Sequence, residues 1–313
     1  MRMKVNHFIS IVTAATSRLL FVATVLVCAN FTRGQTAGVP VYVEDSFCYD
    51  QILSQAKKLH AAGKLTIPET VLTNQLFERK SCELKLSAPR TEKLAARDLW
   101  SAARAAHLRV GWYFHTTDSD KWIITVGGGY ALTKDGAVAT CFHVMCPPDG
   151  MEEGFLFAVN ESGQAYPVTE ILAGNAEADV CIVRVATDDL KPLALNTNVS
   201  PGDHCVCYSD PHGERGYYSE GFVSRFLAPR RGGKVVKSAT KLDVTTDWAP
   251  GSSGAAVLDE CGNAIGHVSF ITGLYGKTEN RRGETDITIH EASSAKDVLA
   301  LVKPPNKQTS DQQ

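Results

Sequence analysis

From Val110 to about residue 290 the chain is a run of short apolar segments separated by tight turns, with no long helical pattern between them. Such a run cannot build a parallel sheet with helical crossovers, so it packs as barrels or as a sandwich. The strands read as Val110 to Phe114, Trp122 to Val126, Tyr130 to Thr133, Ala137 to Thr140, Phe155 to Val159, Ala165 to Leu172 and Val180 to Val185. They continue as His204 to Tyr208, Tyr217 to Phe226, Lys234 to Val244, and a hairpin of Ala256 to Leu258 with Ala264 to Ser269. Lys134-Asp135-Gly136 has the Asp-Gly signature of a hairpin turn, and Gly127-Gly128-Gly129 reads as another turn. The triple glycine is not a phosphate loop, because no Lys-Ser/Thr ending follows and the next element is a strand. Helical spacing appears only at the flanks: Ser46 to Gly63, a second helix starting at Pro68, Thr91 to Leu108, and Ser293 to Val302. Pro304-Pro305 ends the last of these, and residues 304–313 form a polar tail expected to be disordered.

Thr245 to Leu258 carries the densest chemistry. Pro250-Gly251-Ser252-Ser253-Gly254 is a tight turn that presents Ser253 between small residues and then enters an apolar strand. Glycines on either side let a carbonyl come close, and a sharp turn aims backbone N–H groups at one point. A hairpin follows Ser253 rather than a helix, and Ala255 stands two after it, so this is not the strand-to-helix elbow of the α/β-hydrolases. Alone, such a turn is an ordinary hairpin.

A reactive serine needs a base, and the base needs a carboxylate to hold its tautomer. The best histidine is His143, directly after the apolar strand Ala137 to Thr140. The best acid is Asp179, which opens the apolar strand Val180 to Val185, a poor place for a merely solvated charge. The bland readings are a structural histidine and a strand-entry aspartate. The order His, Asp, Ser, each at a strand edge, favours the reactive reading.

On these residues the region from about Leu99 to Ile289 resembles the trypsin-like, chymotrypsin-fold serine peptidases, particularly the bacterial Deg/HtrA type. The matching segments are Gly128 to Val144, Asn175 to Val185, Val199 to Tyr208 and Thr246 to Ser269. The resemblance implies a mainly β protein with two six-stranded antiparallel barrels, about 110–190 and 195–290, in a peptidase domain spanning 99–303. It implies His143 as general base and then acid, Asp179 as its orienting partner, and Ser253 as nucleophile. Gly251 and Ser253 would supply the oxyanion-hole N–H groups. Ser269 falls where the family places a hydroxyl beside the triad acid, on the strand lining the primary pocket. Asp247 falls where enzymes of basic specificity hold their pocket acid; its alternative roles are to cap a turn or to pair with Lys241. The reaction implied is peptide-bond hydrolysis through an acyl-enzyme, without metal or cofactor, on protein or peptide substrates. The alternative is a catalytically inactive binding module on the same barrels. Two departures stand out: Ala255 replaces the family's usual second glycine, and no PDZ-like domain fits in the two dozen residues after Ile289.

The formal net charge is -2 among 313 residues, which gives no basic excess to suggest nucleic acid and no acidic block to suggest disorder. Residues 1–34 look like a secretory signal peptide: a basic start, the short apolar run Leu19 to Ala29, then small and polar residues. Secretion or a periplasmic location follows, with no stable membrane insertion once the leader is cleaved; an uncleaved anchor is the alternative. Without Cys28 there remain Cys48, Cys82, Cys141, Cys146, Cys181, Cys205, Cys207 and Cys261, an even set whose default reading in an oxidising compartment is disulfides. Cys48 and Cys82 are candidates to clamp the first two helices. Cys205 and Cys207, with His204 and His212 near, do not have zinc spacing, and period-2 places both thiols on one strand face. Residues 35–98 read as a helical extension of unknown role, with a removable pro-segment as one option.

Overall fold

The computed structural model describes residues 42–45, 48–231, 234–275 and 285–305. The leader and most of the polar tail lie outside them. Apolar periodicity builds α1 (Cys48–Ala61) and α2 (Glu69–Glu78), with Pro68 just before the first turn of α2. A two-residue strand β1 (Cys82–Glu83) and α3 (Ala96–Ala106) lead into the first barrel. Its strands are β2 (His107–Thr116), β3 (Ser119–Ala131), β4 (Ala137–Thr140), β5 (Met151–Asn160), β6 (Ala165–Asn175) and β7 (Val180–Val185). The short helix α4 (Phe142–Met145) follows β4. All pairings are antiparallel in the order β2-β3-β4-β7-β6-β5, and β5 returns to β2 to close the barrel.

The second barrel uses β8 (His204–Ser209) and β9 (Tyr217–Leu227), then passes through a small hairpin of β10 (Arg230–Arg231) and β11 (Lys234–Val235). It is completed by β12 (Lys241–Val244), β13 (Ala256–Asp259), β14 (Ala264–Tyr275) and β15 (Thr285–Ser294). The closed order is β8-β9-β12-β15-β14-β13. The helix α5 (Ala295–Ala300) is capped by the Ser294 side chain, and β16 (Val302–Lys303) pairs in parallel with β1. The expected pair of six-stranded antiparallel barrels is therefore present.

Side-chain alternation divides the apolar residues among four cores. Leu108, Val110, Trp112 and Phe114 fill the first barrel with Leu156, Ile171 and Val183. Cys205, Cys207, Leu242, Val257 and Ile265 fill the second. Between the barrels, Tyr130, Leu132 and Ile182 meet Val206, Tyr208 and Leu258, together with α3 and α5. The fourth core lies outside the first barrel, where Ile52, Ala56 and Leu59 of α1 cover Tyr113, Ile124 and Phe157.

Three expectations change. Gly127-Gly128-Gly129 is not a turn: all three residues lie within β3 and pair with β2. Close approach explains the glycines, because a Cβ on Gly127 would sit 2.6 Å from the Ser253 carbonyl oxygen and one on Gly128 would sit 2.7 Å from the Ala255 nitrogen. The helical stretch before the barrels is built into them rather than appended. Leu72 and Leu76 of α2 are fully buried in the first barrel's core, and removing each such side chain from water contributes about 1.5–3 kcal/mol. Finally, Cys82, Cys141, Cys146, Cys181, Cys205, Cys207 and Cys261 are all free thiols. Cys181, Cys205 and Cys207 act as core-filling apolar groups, and Cys205 and Cys207 do share the inward face of β8. Among the described residues no helix is long and apolar enough to cross a membrane.

Candidate active site

Strand β4 delivers the chain to α4, whose buried Phe142 and Met145 anchor it while the His143 side chain stays half exposed. Phe142 is backed by Phe77 of α2, ring edge against ring face at 5.5 Å. Across the barrel, Asp179 ends the turn between β6 and β7 with φ of 57°, a left-handed conformation that aspartate tolerates better than most residues. The Nε2 of His267 holds its carbonyl at 3.1 Å. Four contacts converge on its carboxylate. The His143 backbone N–H donates to Oδ1 at 3.0 Å, and His143 Nδ1 lies 3.0 Å from Oδ1 and 2.9 Å from Oδ2. Ser269 Oγ donates to Oδ2 at 2.7 Å.

Burial opposes ionisation of Asp179, but the hydrogen bonds and charge of His143, with the Ser269 hydroxyl, outweigh it and hold the carboxyl well below the usual range. An ionised carboxylate only accepts, so this network assigns the proton to Nδ1 and leaves Nε2 with a free lone pair. That is the tautomer a general base requires.

Ser253 reaches the same place from the second barrel. His143, Asp179 and Ser253 all line one cavity of about 520 Å³, with Trp248, Val268, Phe270 and Ile271 among its walls. A second cavity of about 400 Å³, lined by Thr125, Val126 and Cys146, also touches His143 and Ser253. Gly251 and Gly254 have φ of 103° and 91°, which bends the chain sharply on both sides of the serine. Within the turn, Ser252 N–H donates to Ala249 and Ala255 N–H to Ser252, while Gly254 N–H donates to Val268 at 2.7 Å. Gly128 N–H donates to the Ser253 carbonyl at 2.7 Å, tying the turn to the first barrel. Among the described residues the N–H groups of Gly251 and Ser253 have no acceptor, and the Ser253 hydroxyl has no partner. Ala255 is accommodated because the residue facing it, Gly128, has no side chain.

Asp247 stands apart from this constellation. It is exposed, does not line the cavity, and exchanges backbone hydrogen bonds with the Ser219 hydroxyl. The buried Trp248 takes its place at the cavity wall, its indole N–H donating to the Phe270 carbonyl at 3.1 Å. Nor does Asp247 pair with Lys241, whose ammonium meets Ser269 and Ser293 instead. Sequence reasoning missed that role for Lys241, although the alternation in Lys241-Leu242-Asp243-Val244 marks a charged residue within a barrel strand.

A second histidine–carboxylate pair went unnoticed as well. His107 Nε2 lies 3.4 Å from Asp210, and both are buried beside Arg109 and Glu161. Among the described residues two groups of potential metal ligands occur, Cys141-His143-Asp179 and His107-Glu161-Asp210. Neither suits a cation. Burial pushes the Cys141 thiol well up and its hydrogen goes to the Val268 carbonyl, while the Arg109 guanidinium already occupies the second group.

Residues 127–266 match the trypsin-like peptidase domain family, a span that contains His143, Asp179 and Ser253. The two closed barrels around that span have the chymotrypsin fold. Solved structures agree on the fold. The HtrA-type protease AlgW with a decapeptide superposes with a TM-score of 0.52 at 18% identity, covering 66% of each chain. The same protease with a tripeptide gives 0.50 at 20% identity, covering 66% of this chain and 62% of that one. The present chain thus spans just under two thirds of these relatives' length. Among curated proteins none matches the chain.

Proposed function

We propose that this peptidase domain hydrolyses peptide bonds through an acyl-enzyme formed on Ser253, with His143 as base and then acid and Asp179 as the partner that orients it. One observation carries the reading: an imidazole held in the Nδ1–H tautomer by a half-buried carboxylate opens onto the same cavity as an unpartnered serine hydroxyl. Nε2 takes the serine proton as Oγ attacks the scissile carbonyl, and the imidazolium is stabilised by Asp179. The negative oxygen of the tetrahedral intermediate is received by the N–H groups of Gly251 and Ser253, which are free to donate. The proton then passes to the leaving amine, and water repeats the sequence on the acyl-enzyme. The two cavities on either side of Ser253 suit the two sides of an extended peptide. Apolar walls of Trp248, Val268 and Ile271, with the Asp247 carboxylate outside, support preference for an apolar side chain over a basic one.

The leader-like segment 1–34 supports export to a periplasmic or extracellular location. The reading is tested by labelling with a fluorophosphonate and locating the adduct by mass spectrometry. A single adduct on Ser253 that disappears in His143→Ala is the expected result; an unlabelled or randomly labelled protein would return the fold to the status of a binding module.

A further inference from the structure

The carboxylate of Asp179 is one end of a hydrogen-bond chain whose other end is a buried lysine. Lys241 is 4% exposed, and its Nζ lies 2.8 Å from Ser269 Oγ and 2.7 Å from Ser293 Oγ. Both hydroxyl protons are already committed. Ser269 donates to Asp179 Oδ2 at 2.7 Å, and Ser293 donates to the Ala178 carbonyl at 2.7 Å. Each hydroxyl therefore turns a lone pair toward Nζ, and an ammonium, which only donates, complements both. Among the described residues Lys241 forms no ion pair. A buried cation held by hydroxyls alone costs stability, so its placement calls for a function, and the anion one hydroxyl away is Asp179.

We propose that Lys241 is a positioning residue for the Asp179–His143 pair. Through Ser269 it fixes the proton that Asp179 Oδ2 receives. Through Ser293 it holds the Ala178–Asp179 backbone in its left-handed turn, so that the carboxylate faces His143 Nδ1. Without the lysine, both hydroxyls regain rotational freedom, and the carboxylate loses a fixed donor and its backbone tether together. Lys241 itself contacts neither His143 nor the cavity. The inference rests on the triad reading and extends it to a residue on another strand.

The test is Lys241→Met, assayed for kcat and KM across the neutral range beside fluorophosphonate labelling of the wild type. We expect kcat to fall about 10- to 100-fold with KM held within about twofold, as for loss of a charge-assisted hydrogen bond that serves the chemical step. The titratable groups in electrostatic contact with Lys241 are Cys141, His267, Glu291 and Asp297, with Asp179 one hydroxyl away, Asp243 on the same strand paired to Arg225, and Lys296 beside Asp297. Removing the Lys241 cation moves the acid limb of the kcat profile to higher pH, whereas Lys241→Arg keeps the limb in place and recovers part of kcat. Unchanged kcat and an unmoved limb in Lys241→Met would overturn the proposal. If that variant does not fold, Ser269→Ala must show the same loss in kcat with KM held, and an unchanged kcat there overturns it equally. Absence of label on wild-type Ser253 removes the triad reading and this proposal with it; a labelled wild type with an indifferent Lys241→Met removes only the proposal.

Discussion

Among the described residues two histidine–aspartate pairs are built from the same side chains and sit in different settings. His143 and Asp179 meet at 2.9 Å with the ring half exposed, whereas His107 and Asp210 meet at 3.4 Å with the ring buried. Asp179 receives only histidine and a serine hydroxyl, so its charge is directed at the imidazole. Asp210 is shared with the Arg109 guanidinium and the Gly216 N–H. Its loop then reaches the serine turn from behind, where the His212 N–H donates to the Pro250 carbonyl at 2.7 Å. The difference teaches that a carboxylate makes a histidine into a base only where it has no stronger claimant and the ring's other nitrogen opens onto a cavity. On the proposed function the first pair would serve the chemistry, while the second supports the turn through its loop.

The sharpest way to break this comparison is to remove the reacting groups. Ser253→Ala should lower turnover of a fluorogenic peptide by ~10⁶-fold, His143→Ala by a similar factor, and the double variant scarcely more. Asp179→Asn, which spoils the tautomer and leaves the shape, should cost ~10⁴-fold in kcat. A His107→Ala enzyme losing activity to the same degree per folded molecule would erase the distinction. The second pair should instead show itself in unfolding. Asp210→Ala takes an anion from the buried Arg109 and His107 while Arg109 keeps Glu161, and should cost about 1.5–3 kcal/mol in a urea titration.

Acidity sharpens the contrast further. Desolvation drops buried His267 from its ordinary 6.5 to about 4. The unfolded chain therefore takes up this proton first, and roughly 3 kcal/mol of stability present above pH 6.5 is lost as pH falls to about 4. Asp179 and Asp210, both depressed, add further losses as pH falls below their ordinary 3.8. On the alkaline side, burial pushes the Cys205 and Cys207 thiols up to about 12, so their contribution is present below pH 9 and is lost as pH rises from there. Urea midpoints measured across pH should form a plateau between these limbs. The smallest effect concerns Asp247: Asp247→Asn should leave the ratio of kcat/KM for basic and apolar peptides within ~2-fold, because a solvated carboxylate outside the pocket contributes little. A large change would restore it as the pocket acid.

Much of this was legible before the structure. Alternation and turn residues marked nearly every barrel strand, and the serine turn, His143 and Asp179 stood out because each breaks an apolar run with a reactive group. What could not be read was set by distance in space. The three glycines of β3 look like a turn until the Ser253 carbonyl and Ala255 are found where their side chains would be. Helices α1 and α2 look detachable because their partners, Tyr113, Ile124 and Phe142, lie far along the chain. The cysteines suggested cross-links, yet their spacing says nothing of whether two sulfurs face each other. Lys241 was visible as a residue but not as a neighbour of Asp179, since only burial reveals which hydroxyls it serves.

The Gly128 N–H that holds the Ser253 carbonyl has a mechanical implication. The proposed nucleophile rides on one barrel while a peptide group of the other clasps it, so on that reading the seam between the barrels is also where the reaction would take place. On the proposed function, a force or ligand that opened this seam would move Ser253 away from His143 without any need for either barrel to unfold.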